Sequence, residues 1–334
     1  MIKVFECGQG DSAYIEELNL LVDLGEKEIS PIFPNDKIDV MVTHSHSDHI
    51  MGVKLANYSI NKLFMPAYLP ECLAILNKLR ERKLYVYNQN IELVYEGKKL
   101  YQNKITVLNP PLDPWNYWNK VNAVTSDDVN SMLSELGFSD VTFLDDFNSE
   151  LNNYYPFINN DSLTEADSNY NPEEFIKNLL KVIAYYYKST RNIDKAVYSF
   201  LYEDANILSI IFSYTNLGCT YLFTGDANKA QFKRINNINS NALVCDFLKV
   251  PHHGSKYSLD TAILQMMQPK IAVVSHNNRY FGNSKDCHPN QEVVDLFFPN
   301  SNIRLYSTND IIKPGINTIP KHVGKIPGFD VVIE

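Results

Sequence analysis

The stretch Thr43-His44-Ser45-His46-Ser47-Asp48-His49 decides how this sequence is interpreted. It places three histidines and an aspartate close together, directly after a short apolar run at 40–43. An apolar run that stops at a polar segment is typical of a buried strand that delivers a loop to the edge of a sheet. Imidazole and carboxylate groups are ligands that suit zinc, manganese or iron. The stretch therefore predicts a metal site at a strand end.

So many ligands in one short segment favour a site with two divalent metal ions, zinc or manganese. His44 and His46 alternate along the chain, and we expect both to project toward one ion. Asp48 and His49 lie just past them and should reach the second ion. A carboxylate from elsewhere in the chain should bridge the two.

The rest of the chain alternates short apolar runs with helical patterns, which predicts a layered α/β architecture with its functional groups along one edge. Strands are expected at 2–6, 12–16, 20–23, 206–214, 219–224, 246–250, 271–275 and 303–306, and helices at 70–82, 126–136, 172–188, 259–267 and 291–298. The segment 140–171 is rich in Asn, Asp, Ser and Tyr. We therefore expect one domain over 1–334, with an irregular and helical insertion at about 110–200.

Hydrophobic content, cysteine spacing and net charge limit the classes of function that this chain could have. The 334 residues are 45% hydrophobic, which is enough for a substantial core, and no apolar run approaches the length of a membrane helix. We expect a cytoplasmic protein that does not contact a membrane. The five cysteines show no Cys-x-x-Cys spacing, so neither a disulfide framework nor a cysteine zinc site is indicated. The net charge of −9 disfavours a protein that coats nucleic acid but not a nuclease, because two divalent cations would offset it locally.

Several motifs, taken in order along the chain, resemble the ligand motifs of the metallo-β-lactamase superfamily. They are Asp23 after Leu21-Val22, the stretch that begins at His44, and Thr224-Gly225-Asp226. A narrower resemblance is to the hydrolase domain attached to bacterial competence DNA-uptake channels and to its stand-alone relatives. It is carried by Gly8-Gln9-Gly10-Asp11-Ser12, Pro251-His252-His253-Gly254-Ser255, Asn277-Asn278-Arg279-Tyr280 and His288-Pro289. The resemblance covers about 1–110 and 205–310, and it implies a four-layer αββα fold.

By this resemblance Asp226 is the bridging carboxylate, and Asp23 orients a metal-bound histidine. The chain departs from the superfamily pattern because it has no histidine between His49 and His252. His252 and His253 are the candidates to fill that vacancy. Adjacent residues of an extended segment point opposite ways, so one should bind metal while the other orients it or meets substrate. We favour His252 as the ligand and expect His253 to act with Asp48 and Asp226 in catalysis.

The last metal ligand has two candidates between which the sequence does not decide. His276 directly follows the apolar run 271–275, whereas the narrower resemblance favours His288. Asp11 and Ser255 are candidates for contacts with substrate or ligands, although turn and cap roles also explain them. Lys256 is a candidate contact for a phosphate.

Hydrolysis of a phosphodiester is the leading functional hypothesis, with DNA, RNA or a nucleotide as substrate. Fold alone does not select the substrate. A small-molecule phosphoesterase, of the cyclic-nucleotide or choline-phosphate type, is the alternative. A further hypothesis is an effector subunit that acts only with a partner protein docked on the 110–200 insertion.

Overall fold

Two β-sheets lie at the centre of the molecule in a computed structural model of the chain. The structure describes residues 1–31, 33–50, 58–67, 90–112, 119–139, 172–281, 286–298, 302–312 and 318–334, with positions 69, 72, 75, 78, 79 and 143 between them. The strands are β1 (Ile2–Val4), β2 (Ala13–Ile15), β3 (Leu20–Val22), β4 (Lys37–Met41), β5 (Ser59–Pro66), β6 (Ile91–Val94), β7 (Lys99–Leu100), β8 (Ile105–Asn109), β9 (Ile211–Asn216), β10 (Cys219–Phe223), β11 (Phe247–Lys249), β12 (Ile271–Val274), β13 (Tyr280–Phe281), β14 (Asp286–Cys287), β15 (Arg304–Ser307), β16 (Gly324–Lys325) and β17 (Val331–Ile333).

Each main sheet contains a block of parallel strands. Among the described residues, the first sheet has the order β16-β17-β1-β2-β3-β4-β5-β6, and the second has the order β15-β12-β11-β10-β9-β8-β7. Strands β3 to β6 are parallel neighbours, as are β10, β11, β12 and β15. The carboxyl ends of parallel strands lie at the same edge of a sheet, where open α/β folds collect their ligands.

Alternation of side chains along the strands creates three apolar cores. Leu20 and Val22 of β3 join the core between the two sheets, whereas Leu21 packs into the core on the outer face of the first sheet. In β11, Phe247 faces the inter-sheet core and Leu248 faces the core outside the second sheet. This alternation follows from the two-residue period of a strand. Three cores separate four layers, so the expected αββα architecture is confirmed.

Helices cover the outer faces of both sheets. They are α1 (Ser47–Ile50), α2 (Asn119–Asn122), α3 (Ser126–Glu135), α4 (Pro172–Thr190), α5 (Ile193–Glu203), α6 (Lys229–Ile238), α7 (Thr261–Met267) and α8 (Gln291–Asp295). Leu179 and Ile183 of α4 and Phe200 of α5 pack into the core outside the first sheet. None of the described helices combines the length and the hydropathy needed to span a bilayer.

Most expected elements are confirmed within one to four residues, and one needs correction. A strand was expected from 206, but Ala205–Leu208 is a short 3-10 helix and β9 begins at Ile211. The side chain of Asn109 donates hydrogen bonds to the carbonyl oxygens of Ile207 and Ser209. In a strand, these carbonyl oxygens would accept hydrogen bonds from the backbone of a neighbouring strand. The expected helix at 70–82 and the irregular segment 140–171 lie largely or wholly outside the described residues.

Candidate metal centre

The carboxyl ends of parallel strands from both sheets deliver the candidate ligands to one place. The stretch that begins at His44 follows β4, and its last residues start α1. Asp226 follows β10, and the pair His252-His253 follows β11. The backbone ties these loops together, because the amide of His252 donates to the carbonyl oxygen of Gly225 at 3.1 Å. Ligands that are distant in sequence therefore share one edge of the fold.

Asp226 lies at the centre of the cluster. Its Oδ1 is 3.2 Å from His49 Nε2, and its Oδ2 is 3.8 Å from His44 Nε2. His253 Nε2 lies 3.5 Å from the same Oδ2 and 3.4 Å from Asp48 Oδ2. The carboxylate therefore faces histidines on both of its oxygens, as a bridging ligand would.

The donor atoms of the described residues fall into overlapping groups. Those of His44, His46 and Asp226 lie within 4.8 Å of one another, and so do those of Asp48, His49 and His253. A third group joins Asp11, Asp226 and His253 within the same limit. The first two groups divide the candidate ligands of the His44–His49 stretch in the same way as their order along the chain does. That each group holds an ion stays a prediction.

Unsatisfied buried atoms test whether these residues fit a cation. Among the described residues, His44 Nε2, His49 Nε2, His253 Nε2 and Asp226 Oδ1 are buried and make no hydrogen bond. Leaving a buried polar atom without a hydrogen bond costs about 1–3 kcal/mol. Lone pairs of imidazole nitrogen and carboxylate oxygen are what a divalent transition metal binds. The donor set therefore fits divalent metal ions.

Burial and mutual charge set the protonation of the cluster. Burial holds the pKa of His44 well below its usual value, and His49 and His46 add to this effect, so His44 stays neutral. Burial also opposes the charge on His253, but the Asp226 and Asp48 carboxylates outweigh it and raise its pKa to about 10. Despite burial, the neighbouring imidazoles hold the pKa of Asp226 well below its usual range. A metal ion that binds these groups must therefore displace a proton.

Asp23 holds the ring of His49 from the Nδ1 side, opposite the nitrogen that faces Asp226. Its Oδ2 accepts a hydrogen bond from His49 Nδ1 at 2.8 Å, and its two oxygens also accept from the amide and the hydroxyl of Thr43 at 2.7 Å. With Nδ1 used in this way, Nε2 of His49 faces Asp226. Such an outer carboxylate fixes the orientation and tautomer of a ligating histidine.

The backbone at His252 and His253 differs from the extended segment that we expected. Both residues have left-handed φ values, 48° and 52°, inside a short helical turn over Pro251–Gly254. The two side chains therefore need not point in opposite directions, as they would in an extended segment. His252 Nε2 also lies near Asp226 Oδ2, at 3.7 Å. His253, which was expected to orient a ligand or meet substrate, is buried and lies beside the candidate ligands Asp48 and Asp226, so its role stays a prediction. Non-glycine residues with positive φ are costly and cluster at functional sites.

The chain is similar to two known proteins. A stretch of 94 residues is 38% identical to the ComE operon protein 3 of Bacillus subtilis (strain 168); it covers 28% of this chain and 11% of that protein. A solved structure described as a metal-dependent hydrolase of the β-lactamase superfamily is 12% identical, covers 92% of this chain and 94% of its own, and has a TM-score of 0.43. No protein-family model matches the chain.

The four layers and the ligand motifs at the strand ends are together typical of one fold. The chain has the metallo-β-lactamase fold. The match to ComE operon protein 3 fits the resemblance expected from the motifs, over the stretch that it covers.

Of the two candidates for the last ligand, His288 lies beside the cluster. Its ring centroid is 5.3 Å from that of His252, and the two rings meet edge to face. His276 uses Nε2 in a 2.7 Å hydrogen bond with Ser307 Oγ, and its Nδ1 accepts from the amide of Asn278. The geometry therefore favours His288, and its role as a ligand stays a prediction.

The remaining candidates lie around the cluster. Ser255 is buried, and its hydroxyl accepts a hydrogen bond from the amide of Tyr257, as a turn-forming serine does. The Lys256 ammonium is 3.9 Å from Glu292 Oε1 and 5.6 Å from the centre of the Tyr257 ring. Asp11 is paired with Lys249, a residue that the sequence analysis missed. A lysine inside the buried strand β11 was the signal, because lysine is almost never fully buried unless it is paired.

Proposed function

We propose that this chain is a metal-dependent hydrolase that cleaves phosphodiester bonds. The observation that carries the proposal is the position of Asp226 between two groups of ligands, with Oδ1 facing His49 and Oδ2 facing His44 and His253. Two divalent ions in such a site polarise a phosphoryl group and make water a nucleophile near neutral pH.

The residues of the chain would divide the work as follows. His44, His46 and Asp226 would hold one ion, and His252 lies close enough to Asp226 to complete that group. Asp48, His49 and His253 would hold the second ion, with Asp226 shared between the two. In this arrangement His252 and His253 would supply the ligand that the middle of the chain lacks.

Nucleic acid is the first substrate class under this proposal. Its support is the resemblance of the motifs around Asp11 and His253 to the hydrolase domain of competence proteins. Asp226 and its neighbours lie in a chain of net charge −9, so a phosphate would depend on the bound cations for attraction. A cytoplasmic location and a partner protein bound to the 110–200 insertion stay predictions.

A metal-supplemented activity screen tests the function. The purified chain is loaded with zinc or manganese and assayed on bis(p-nitrophenyl) phosphate, single-stranded DNA, duplex DNA, RNA and cyclic nucleotides, with Asp226→Ala as the matched control. We expect hydrolysis of the generic diester and of at least one nucleic acid by the parent chain only. Activity confined to cyclic nucleotides would favour the small-molecule alternative, and a fully loaded chain inactive on every diester would overturn the proposal.

A further inference from the structure

A buried ion pair lies against the candidate metal centre. Lys249 is the last residue of β11, and Asp11 lies in the loop that leads into β2. Their Nζ and Oδ1 atoms are 2.5 Å apart, and the two side chains are only 4% and 8% exposed. The pair joins the two sheets at the edge where the ligands gather.

Stability alone does not account for this pair. Removing two charges from water is costly, and replacing a buried ion pair with apolar residues is often neutral or stabilising. The position of Asp11 offers a better reason. Its Oδ1 is 3.7 Å from His253 Nδ1, and its carboxylate lies within ligand distance of both Asp226 and His253. A third carboxylate therefore stands within reach of the proposed second ion.

The loop that carries Asp11 packs directly against the cluster. A Cβ atom on Gly10 would come within 1.7 Å of the carbonyl oxygen of Asp48, so this backbone packs directly on a candidate ligand. His253 is also fixed, because its Nδ1 lies 3.2 Å from the carbonyl oxygen of Ser275. That contact leaves Nε2 to face Asp48 and Asp226. Lys249 contacts Asp11 Oδ1, the same oxygen that lies 3.7 Å from His253 Nδ1.

We propose that Lys249 is a positioning residue that keeps Asp11 out of the metal coordination sphere and holds its carboxylate beside the Nδ1 edge of His253. This inference rests on the proposed two-metal function. Asp11 then adds negative charge behind a ligating histidine, as outer carboxylates do in metal sites, rather than binding the ion itself. The pair thereby decides which carboxylates are ligands.

Cobalt substitution tests this assignment with a readout other than activity. The variants are Lys249→Met, Asp11→Asn and the double variant, each loaded with Co²⁺ in the full chain. Lys249→Met should release Asp11 to bind the ion, which changes the visible Co²⁺ spectrum, slows removal of cobalt by a chelator, and lowers kcat about 10- to 100-fold. The double variant should recover the parent spectrum, because an amide replaces the released carboxylate.

Controls separate this effect from lost stability and from failure of the proposed function. Arg234→Met removes another buried cation, which is paired with Glu96 rather than with a candidate ligand, and should leave the cobalt spectrum unchanged. If Lys249→Met does not fold, the Asp11→Asn variant alone tests the proposal. A parent-like cobalt spectrum with full metal content in Asp11→Asn supports the proposal. Loss of metal from Asp11→Asn would show that Asp11 is a ligand and would overturn it. A parent-like spectrum in folded Lys249→Met also overturns it, while the proposed function stands. A parent chain that binds no cobalt overturns both.

Discussion

Where α2, α4 and α5 meet, the Tyr186 hydroxyl oxygen lies 2.8 Å from Glu203 Oε2 and 2.9 Å from Asp204 Oδ2, and the Lys120 ammonium donates to Asp204 Oδ1 at 2.9 Å. Each charge in this polar cluster has an opposite partner. At the candidate metal centre, by contrast, Asp226 Oδ1 and several ring nitrogens of the described residues are buried without a hydrogen bond. Both clusters bury polar groups, but of the two only the cluster around Tyr186 satisfies them with partners from the chain.

The difference separates a structural cluster from a binding site. The network around Tyr186 connects α2, α4 and α5, and burial together with Asp204 and Glu203 keeps the tyrosine pKa far above its usual value. Such a satisfied network holds helices together and needs no ligand. The cluster around Asp226 keeps its donor atoms available, as a site that binds a cation must. Changes at the two places should therefore act on different properties of the protein.

The largest effect is expected from Asp226→Ala. This change removes the carboxylate that faces His49 on one oxygen and His44 and His253 on the other, so hydrolysis should fall below detection and metal content should drop. Elemental analysis and turnover of bis(p-nitrophenyl) phosphate measure the two effects, with circular dichroism to verify the fold. A folded variant with full metal content and normal turnover would show that Asp226 does not bridge.

Replacing either of the adjacent histidines, His252 or His253, should remove part of the bound metal. His253→Ala is expected to lose the ion near Asp48 and His49, and His252→Ala the ion near His44 and His46. Each variant should keep about one of two ions, measured by elemental analysis after equilibration with zinc. Retention of both ions in His252→Ala would leave the other group to be completed by a different ligand.

Metal affinity should rise with pH up to about 10. The carboxylates around His253 raise its pKa to about 10, so between neutral pH and that value an ion must displace a proton to bind. Each displaced proton gives about a tenfold gain in affinity per pH unit. The stability of the metal-free chain should change with pH in the opposite direction. Because folding raises the pKa of His253, protonated His253 stabilises the fold fully below the usual value of about 6.5, and this contribution is lost as pH rises through about 10. Competition with a chelator of known affinity, and thermal melts of metal-free chain, check the two trends; a pH-independent affinity would contradict the first.

Asp23→Asn should have a moderate effect. The amide keeps the size of the side chain but weakens the hold on His49 Nδ1, and loss of such outer carboxylates lowers metal affinity or activity about 10- to 100-fold. Titration of the metal-free variant with zinc, beside the kcat of the loaded variant, measures both. Parent-like values in both assays would mean that Thr43 and the surrounding packing suffice to hold the ring.

The smallest effect on the candidate metal centre is expected from Tyr186→Phe in α4. This change removes the hydroxyl between Glu203 and Asp204 and should lower the free energy of unfolding by about 1–3 kcal/mol. Metal content and kcat should stay at parent values. Denaturant unfolding with parallel metal analysis checks this result, and a loss of metal in a folded variant would erase the contrast between the two clusters.

Local sequence was enough to predict the candidate ligands, the layered α/β class and most strand positions. His44, His46, Asp48 and His49 are close in sequence, so local spacing was enough to predict a shared site. The strands were predictable because the apolar period of a run such as Leu20–Val22 reports burial directly.

Tertiary structure decided what depends on distant contacts. The left-handed backbone at His252 and His253 is held by a hydrogen bond to Gly225 and by packing of Gly254 against Pro289, neither of which local sequence reveals. Lys249 and Asp11 are separated by 238 positions, so their pairing appears only when the two sheets come together. The choice between neighbouring histidines as ligands is likewise a matter of a few ångströms, which packing sets and spacing along the chain does not.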